Sequence, residues 1–202
     1  MPRIRAENIE AHKAQTRSDI VDAAQVLIAE IGSADISLAE VAHEAGIGRT
    51  TLYEYFRDKD DLIASLVEER LPDVIDDVVA SIADGDPVEE RLSKLAEATV
   101  EFVVTDRVLG LILHRELSRL SANAQDRIRM SHSDLAGAMM GIYFEGVASG
   151  IFRRMAPDIA GRFVNELIMA AAKVLIAAPD PGARFPEVAS ELRAFLLGGL
   201  RA

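Results

Sequence analysis

Cysteine and tryptophan are both absent from this 202-residue sequence, and aromatic side chains make up only 5% of it. Without cysteine the chain can form neither disulfides nor thiolate metal sites, and it offers no cysteine nucleophile. This absence agrees with a reducing compartment, so we expect a cytoplasmic protein. The first seven residues lack the apolar segment of a signal peptide, and no run of 18 apolar residues is free of charge. We therefore expect no membrane-spanning segment.

Positive charge is also scarce, since 22 basic residues face 33 acidic ones and the net charge is −11. Residues 1–17 carry a net charge of +2, whereas residues 18–70 carry four basic and twelve acidic residues. A nucleic-acid-binding protein is expected to be basic, at least locally. Any contact with nucleic acid must therefore come from a few well-placed cations, and non-specific affinity should be modest.

Apolar residues recur at helical spacing along nearly the whole chain, and alternating strand patterns are absent, which predicts an all-α fold. Early helices are predicted over 16–31, 38–45, 49–55 and 58–83. Pro72 removes a backbone amide from the last of these, so a kink or break is expected near Leu71. Later helices are predicted over 87–104, 108–120, 126–149, 157–178 and 186–197. Residues 179–182 are predicted to form a loop.

Residues 38–55 hold two short predicted helices joined by a tight glycine turn. Ser37 and Glu40 have the spacing of a capping box at the start of the first helix. Gly46 stands where the turn requires a positive φ, and Ile47 supplies the apolar contact that sets the angle between the helices. This arrangement matches a helix-turn-helix, whose second helix enters the major groove of DNA.

Residues 16–71 resemble the DNA-binding domain of the TetR family of bacterial repressors. The segment AGIGRTTLYEYFRDKDDL, residues 45–62, follows the signature of that family almost throughout. The resemblance implies an N-terminal helix-turn-helix domain of three helices, joined by a shared helix to a C-terminal helical ligand-binding and dimerisation domain. We place the N-terminal arm and DNA-binding domain at 1–57 and the second domain at 58–202.

The resemblance also implies DNA contacts for eight positions, namely Ser37, Gly48, Arg49, Thr50, Thr51, Tyr53, Tyr55 and Lys59. Arg49 is the candidate for reading a base, whereas Tyr53 and Lys59 are candidates for holding phosphates. Two alternatives stay open: the ring of Tyr53 can cap the small core, and Lys59 can be a solvated lysine at a helix start. The arm with Arg3 and Arg5 can enter a minor groove or be disordered.

Two predicted helices near the C-terminus, about 158–178 and 186–199, have apolar faces wide enough to need burial on both sides. In the resembled family such a pair forms a four-helix bundle with a second copy, so we expect a homodimer. A dimer also suits a palindromic double-stranded DNA operator, whose half-sites lie about 34–36 Å apart. The alternative is a pair of ordinary core helices in a monomer.

The middle helices are expected to enclose a pocket for an unknown, largely apolar small-molecule effector. Methionine and phenylalanine give an adaptable apolar lining, and a few polar side chains orient the ligand. The candidates are Phe102, Leu113, His114, Leu117, Met139, Met140, Tyr143, Phe144 and Phe163. For each of them the alternative is an ordinary core or surface position. The four histidines do not form a metal set, and we expect neither a metal nor a cofactor.

The function expected from these features is a DNA-binding transcriptional regulator, a repressor released from its operator when the effector binds. The sequence contains no glycine-rich phosphate loop, no nucleophile elbow and no metal-ligand spacing, and therefore gives no sign of an enzyme. An enzyme and an adaptor with a vestigial helix-turn-helix remain the alternatives from other classes. Activation of transcription and control by a partner protein also stay open.

Overall fold

The computed structural model describes residues 2–32 and 35–202, apart from the side chains of residues 2–8 and of Arg107. Ten α-helices and no β-strand occur within these ranges, which confirms the all-α prediction. The helices are α1 (Pro2–Ile31), α2 (Leu38–Glu44), α3 (Arg49–Tyr55), α4 (Lys59–Ala80), α5 (Val88–Thr105), α6 (Arg107–Leu111), α7 (Ala122–Ser131), α8 (Ser133–Ala148), α9 (Pro157–Ile176) and α10 (Pro181–Leu200). A π-helical segment, Ile112–Glu116, and a 3-10 turn, Leu117–Arg119, follow α6.

The first core lies among α1, α2, α3 and α4, and it extends to α6, the π-helical segment and α7. Ile20, Ala24 and Ile28 are buried along one face of α1, at the spacing of four residues that a helical stripe requires. Leu52 and Phe56 close this core from the side of α3. The backbone of α1 starts at Pro2, so the N-terminal arm continues the helix instead of being disordered. The side chains of Arg3 and Arg5 lie outside the described residues.

Of the kink or break expected near Leu71, a break is wrong, because α4 runs from Lys59 to Ala80 without interruption. Pro72 is exposed, and it lacks the amide that would bond to the Glu68 carbonyl. Leu71 and Ile75 are buried on either side of it in sequence and hold the helix across the proline. Tertiary packing therefore outweighs the local cost of the proline.

The second core is formed by α5, α8, α9 and α10. Gly146 allows the close approach of Phe152, because a Cβ at this glycine would lie 2.1 Å from a ring atom. The predicted loop over 179–182 is partly wrong, since α10 begins at Pro181. Asp180 caps this helix by accepting a hydrogen bond from the Ala183 amide (3.0 Å), and proline is well tolerated in a first turn.

Two predicted helices of the middle region are divided in the structure. The segment predicted as one helix over 108–120 consists of α6, the π-helical segment and the 3-10 turn. The segment predicted over 126–149 is split into α7 and α8 at His132. The His132 backbone has φ −95° and ψ −2°, and its ring Nδ1 lies 2.7 Å from the Ile128 carbonyl oxygen. This side-chain bond satisfies a carbonyl at the end of α7 and ends the helix there.

Candidate DNA interface and effector cavity

Hydrogen bonds fix both the start of α2 and the turn between α2 and α3. At the start, Ser37 Oγ accepts from the Glu40 amide (3.3 Å), while the Ser37 hydroxyl (2.7 Å) and the Ser37 amide (2.8 Å) both donate to Glu40 Oε2. The bond from the Ser37 hydroxyl, followed by that from the Ser37 amide, lowers the pKa of Glu40. Gly46 has φ +67°, and the Ile47 amide donates to the Ala42 carbonyl (2.9 Å). The two helices are therefore held at a defined angle before any ligand is present.

The outer face of α3 presents a polar surface. Gly48, Arg49 and Thr50 are exposed in its first turn, whereas Thr51 and Tyr55 are partly buried. Tyr55 packs against the first core. The eight positions that the resemblance assigns to DNA therefore all lie on α3 or at the starts of α2 and α4, but they differ in exposure.

Tyr53 is 46% exposed, so a large part of its side chain is open to solvent. Its hydroxyl accepts a hydrogen bond from Arg49 Nη2 (3.3 Å), and the guanidinium carbon lies 5.7 Å from the ring centroid. The two side chains form one exposed unit, because their spacing of four residues places them on the same face of α3. A DNA group that binds the Arg49 guanidinium therefore displaces an exposed contact with Tyr53 and not a buried one.

Lys59 begins α4 and is partly buried, so it is not a fully solvated lysine. Asp58 caps the same helix by accepting from the Asp61 amide (2.8 Å). Asp60 and Asp61 follow in the first turn, where negative charge is favourable to the helix dipole. Lys59 therefore stands in the first turn of α4, four residues after the end of α3 at Tyr55.

A salt-bridge cluster joins α7 to the first half of α4. Arg127 Nε donates to Glu68 Oε1 (2.8 Å), Arg127 Nη2 donates to Ser65 Oγ (2.9 Å), and Arg127 Nη1 is paired with Asp61. The hydrogen bonds to Glu68, followed by those to Asp61, raise the pKa of Arg127. Burial disfavours the charged form of Asp61, but hydrogen bonds from the Arg57 amide and from Arg127 outweigh it and lower the Asp61 pKa. Sequence reasoning did not single out this cluster.

A cavity of about 690 Å³ lies between α4, α5, the π-helical segment, α7, α8 and α9. Its size falls within the usual range for small-molecule sites. Its inner wall is apolar and buried, and includes Leu71, Ile75, Val103, Leu113, Val164 and Ile168. Its rim is polar and exposed, and includes Arg129, Ser133, Asp158, Arg162, Asn165 and Glu166. The arrangement suits a molecule whose larger part is apolar.

Six of the nine candidate pocket residues line this cavity, namely Phe102, Leu113, His114, Leu117, Met139 and Met140. The prediction is wrong for the other three, which do not line the cavity. Tyr143 is buried in the second core, where its hydroxyl donates to the Arg153 carbonyl (3.0 Å) and accepts from the Met155 amide (2.9 Å). Phe144 and Phe163 are 46% and 55% exposed, on the outward faces of α8 and α9.

Sequence reasoning missed the contribution of α4 and of His132 to the cavity. Leu71, Val74, Ile75 and Val78 line it from the second half of α4. Their spacing of three and four residues is the sequence signal that could have found them. Sequence reasoning placed these residues on the predicted helix over 58–83 but did not assign its apolar face to the pocket.

A second apolar surface lies where α9 meets α10. A groove of about 330 Å³ is lined there by Leu167, Ala170, Ala171, Val174, Val188, Leu192 and Phe195, with Arg184, Glu187 and Glu191 at its margin. Val174 is 50% exposed and Phe195 is 68% exposed. Large apolar side chains are thus gathered on one open face of these two helices.

Two negative findings apply to the residues that the structure describes. Within residues 2–32 and 35–202 there is no group of three His, Asp or Glu side chains arranged to hold a metal ion. No helix in the same ranges combines the length and the apolar composition needed to cross a membrane.

Two family models match separate parts of the chain. The model "Bacterial regulatory proteins, tetR family" matches residues 20–66, and "Tetracyclin repressor-like, C-terminal domain" matches residues 85–173. This chain belongs to the TetR family. It is accordingly a transcriptional regulator with an N-terminal helix-turn-helix DNA-binding domain and a C-terminal helical domain.

Relatives within the TetR family include two named regulators. The fatty acid metabolism regulator protein of Bacillus subtilis (strain 168) is 27% identical over 131 residues, which are 65% of this chain and 68% of that protein. The HTH-type transcriptional regulator BetI of Brucella canis is 32% identical over 95 residues, which are 47% of this chain and 45% of BetI. The chain thus aligns with less than half of the length of BetI.

Solved structures of other regulators share the fold. FadR from Bacillus subtilis in complex with stearoyl-CoA has a TM-score of 0.77 and 22% identity, and the match covers 90% of this chain and 98% of FadR. A transcriptional regulator from Saccharomonospora viridis in complex with choline has a TM-score of 0.74 and 19% identity, with 94% and 99% covered. At these identities the likeness concerns the fold of the TetR family alone.

The cavity of this TetR family protein makes its stability depend on pH through His114. Burial, followed by the charges of His132 and Lys173, lowers the pKa of His114 from 6.5 to about 4. Between these values the unfolded chain binds more protons than the native protein, so stability falls as the pH falls below 6.5. We expect this histidine to cost at most about 2 kcal/mol between pH 7 and pH 5.

Urea unfolding at the two pH values tests this expectation. His114→Phe removes the titrating group, so the variant should lose about 2 kcal/mol less than the wild type between pH 7 and pH 5. His43→Gln is the control, because His43 is exposed on α2. An equal loss in the wild type and His114→Phe would contradict the assignment.

Proposed function

We propose that this TetR family protein is a homodimeric repressor that leaves a palindromic operator when a largely apolar molecule occupies the 690 Å³ cavity. The observation that carries the proposal is the course of α4. Its first residue, Lys59, lies beside the helix-turn-helix, and its second half forms the cavity wall from Leu71 to Val78. If the ligand and DNA prefer different positions of this helix, each lowers the affinity for the other by the same free energy.

We propose that α4 joins a DNA-binding domain to an effector-binding domain. The arm and DNA-binding domain comprise residues 1–57, and the effector-binding and dimerisation domain comprises residues 58–202. DNA contacts are proposed for Ser37, Gly48, Arg49, Thr50, Thr51, Tyr53, Tyr55 and Lys59. The exposed unit of Arg49 and Tyr53 supports a role for α3 in the groove, because both side chains are directed away from the core.

Replacing Arg49 or Lys59 by alanine is expected to change DNA binding in different ways. Arg49→Ala should weaken binding by about 5- to 150-fold for each half-site, or about 1–3 kcal/mol per subunit, and should relax sequence preference, since arginine reads guanine through two hydrogen bonds. Lys59→Ala should weaken operator and random DNA alike and reduce the salt dependence by about one charge per subunit.

Fluorescence anisotropy on a selected operator and on a scrambled duplex, at three salt concentrations, measures both effects. Arg70→Ala is the control, because it removes one charge from α4 at a residue that is paired with Asp22 of α1 (3.7 Å). Equal losses on operator and scrambled DNA for both Arg49→Ala and Lys59→Ala would contradict the proposed roles.

An acyl chain is the proposed apolar part of the effector. The name of the Bacillus subtilis relative and the stearoyl-CoA complex of FadR support this choice, as does the apolar inner wall of the cavity. Stearoyl-CoA is therefore the first probe, and it should lower the operator affinity of the wild type. Choline, present in another structural neighbour, serves as the cationic comparison.

Filling the cavity should separate effector binding from DNA binding. Met139 is buried and lines the cavity, so Met139→Trp should bind the operator normally and lose the response to stearoyl-CoA. Met130→Trp is the matched control, because Met130 is 74% exposed on α7 and does not line the cavity. If Met139→Trp still released DNA at the wild-type stearoyl-CoA concentration, the cavity would not be the effector site.

A further inference from the structure

The cavity wall contains two histidines whose ring nitrogens are not equivalent. His132 stands at the junction of α7 and α8, and its Nδ1 lies 2.7 Å from the Ile128 carbonyl oxygen. A carbonyl only accepts hydrogen bonds, so this nitrogen carries the ring proton. The Nε2 of a neutral His132 is consequently an acceptor, and it is the ring nitrogen left for a ligand.

His114 has the opposite arrangement. It belongs to the π-helical segment, a kind of distortion that occurs frequently at functional sites. Its Nδ1 is buried and has no hydrogen-bond partner. A buried N–H without a partner is rarer than a buried acceptor without one, so the ring proton belongs on Nε2. A neutral His114 therefore offers a donor to the cavity, where His132 offers an acceptor.

Both rings are neutral near pH 7. Burial is the main cause that lowers the pKa of each, and for His114 the value falls to about 4. The two histidines lie close enough that a charge on His132 opposes protonation of His114. The two rings themselves therefore offer no opposite charge to an ammonium or carboxylate group of a ligand.

We propose that His114 and His132 form a hydroxyl-binding site in the cavity wall, so that the effector is an apolar molecule that carries an alcohol or phenol group. A hydroxyl both accepts and donates a hydrogen bond, which matches the donor of His114 and the acceptor of His132. An ether can only accept, and a carboxylate offers no proton to His132. This inference rests on the proposed effector role of the cavity and adds the polar group that the cavity selects.

Four probes with one apolar chain test the selectivity, namely 1-octanol, octyl methyl ether, octanoate and octylammonium, each below its aggregation concentration. Titration calorimetry should show 1-octanol binding the wild type about three- to tenfold more tightly than the ether, the contribution of one neutral hydrogen bond. Octanoate and octylammonium should bind more weakly still. His132→Phe should remove the preference for the alcohol over the ether while keeping the binding of both.

The position of the proton on each imidazole ring can be measured without any ligand. Imidazole 1H–15N spectra of a His12→Gln/His43→Gln variant, which retains only the two cavity histidines, should show the proton on Nδ1 of His132 and on Nε2 of His114. The addition of 1-octanol should shift both Nε2 resonances. The opposite positions of the protons in the free protein would overturn the proposal without any binding measurement.

The outcomes also separate this inference from the proposed function. If all four probes bind the wild type and His132→Phe with equal affinity, the hydroxyl site is wrong and the cavity remains an effector site. If no probe binds and stearoyl-CoA leaves DNA affinity unchanged, both the hydroxyl site and the effector role of the cavity are wrong. Tight binding of 1-octanol that His132→Phe reduces to the level of the ether supports both.

Discussion

Replacing Val174 and Phe195 together by glutamate is expected to convert the protein to a monomer and to weaken palindrome binding by about 10²- to 10⁴-fold. Both side chains line the groove between α9 and α10, where they are 50% and 68% exposed. An open apolar face of this kind marks an interaction surface, and here it lies where α9 meets α10. Glutamates there would be buried without partners in a dimer, which is strongly unfavourable.

The loss of palindrome affinity is large because a dimer binds the two half-sites as one molecule. In a dimer the second helix-turn-helix meets its half-site at a high effective concentration, whereas a monomer binds each half-site separately. The affinity for an isolated half-site should therefore stay near the wild-type value. Light scattering measures the mass of the protein. Fluorescence anisotropy on the same sample measures its affinity for the palindrome and for the half-site.

Met130→Glu is the matched control for the dimer prediction. It adds the same kind of charge at a side chain that is 74% exposed on α7, away from the groove of α9 and α10. This variant should keep the mass of a dimer and the wild-type affinity. A Val174→Glu/Phe195→Glu protein that still had the mass of two chains would show that the copies associate through another surface.

The helix-turn-helix was predictable because its geometry is local. The Ser37 capping box and the positive φ of Gly46 depend on residues within one or two helical turns, and the structure contains both. The cavity was only partly predictable, because the rotation of a helix about its axis depends on its neighbours. Met139 and Tyr143 lie one turn apart on α8 and both pack in the second core, yet of the two only Met139 also lines the cavity.

Errors around the prolines have a common physical origin. A proline raises the local cost of a helix, but Pro72 continues α4 and Pro181 begins α10. In α4 the buried contacts of Leu71 and Ile75 offset that cost, and these contacts come from parts of the chain that local rules ignore. The π-helical segment Ile112–Glu116 likewise had no signature in the spacing of its residues.

Arg127 gives the second prediction of large effect, since it links α7 to the helix that joins the two proposed domains. Its partners Asp61, Ser65 and Glu68 follow one another at intervals of four and three residues along one face of α4. Asp61 Oδ2 also accepts from the Arg57 amide (2.9 Å), at the end of the helix-turn-helix. One carboxylate therefore connects α7 to the segment that follows α3.

Arg127→Met should lower the free energy of unfolding by about 2 kcal/mol. Methionine keeps the apolar packing of the arginine stem but leaves Asp61 and Glu68 without their cation. Breaking a fully buried pair costs about 3–5 kcal/mol, and the smaller figure allows for solvent screening of this partly exposed cluster. Arg129→Met is the stability control, because Arg129 is 67% exposed and pairs with Asp126 of its own helix. Its unfolding free energy should change by less than about 0.5 kcal/mol.

The same substitution should weaken the response to effector, for a reason separate from stability. The end of α7 and the residue that follows it, Arg129 and His132, line the cavity, while Arg127 connects that helix to the beginning of α4. A ligand that shifts α7 displaces α4 partly through the contacts between them, and Arg127 supplies the salt bridges among these contacts. The ratio of operator affinities without and with stearoyl-CoA should therefore be smaller in Arg127→Met than in the wild type, at a temperature where the variant is folded. A full response in a destabilised Arg127→Met protein would assign the coupling instead to the direct contact between the ligand and Leu71 to Val78 of α4.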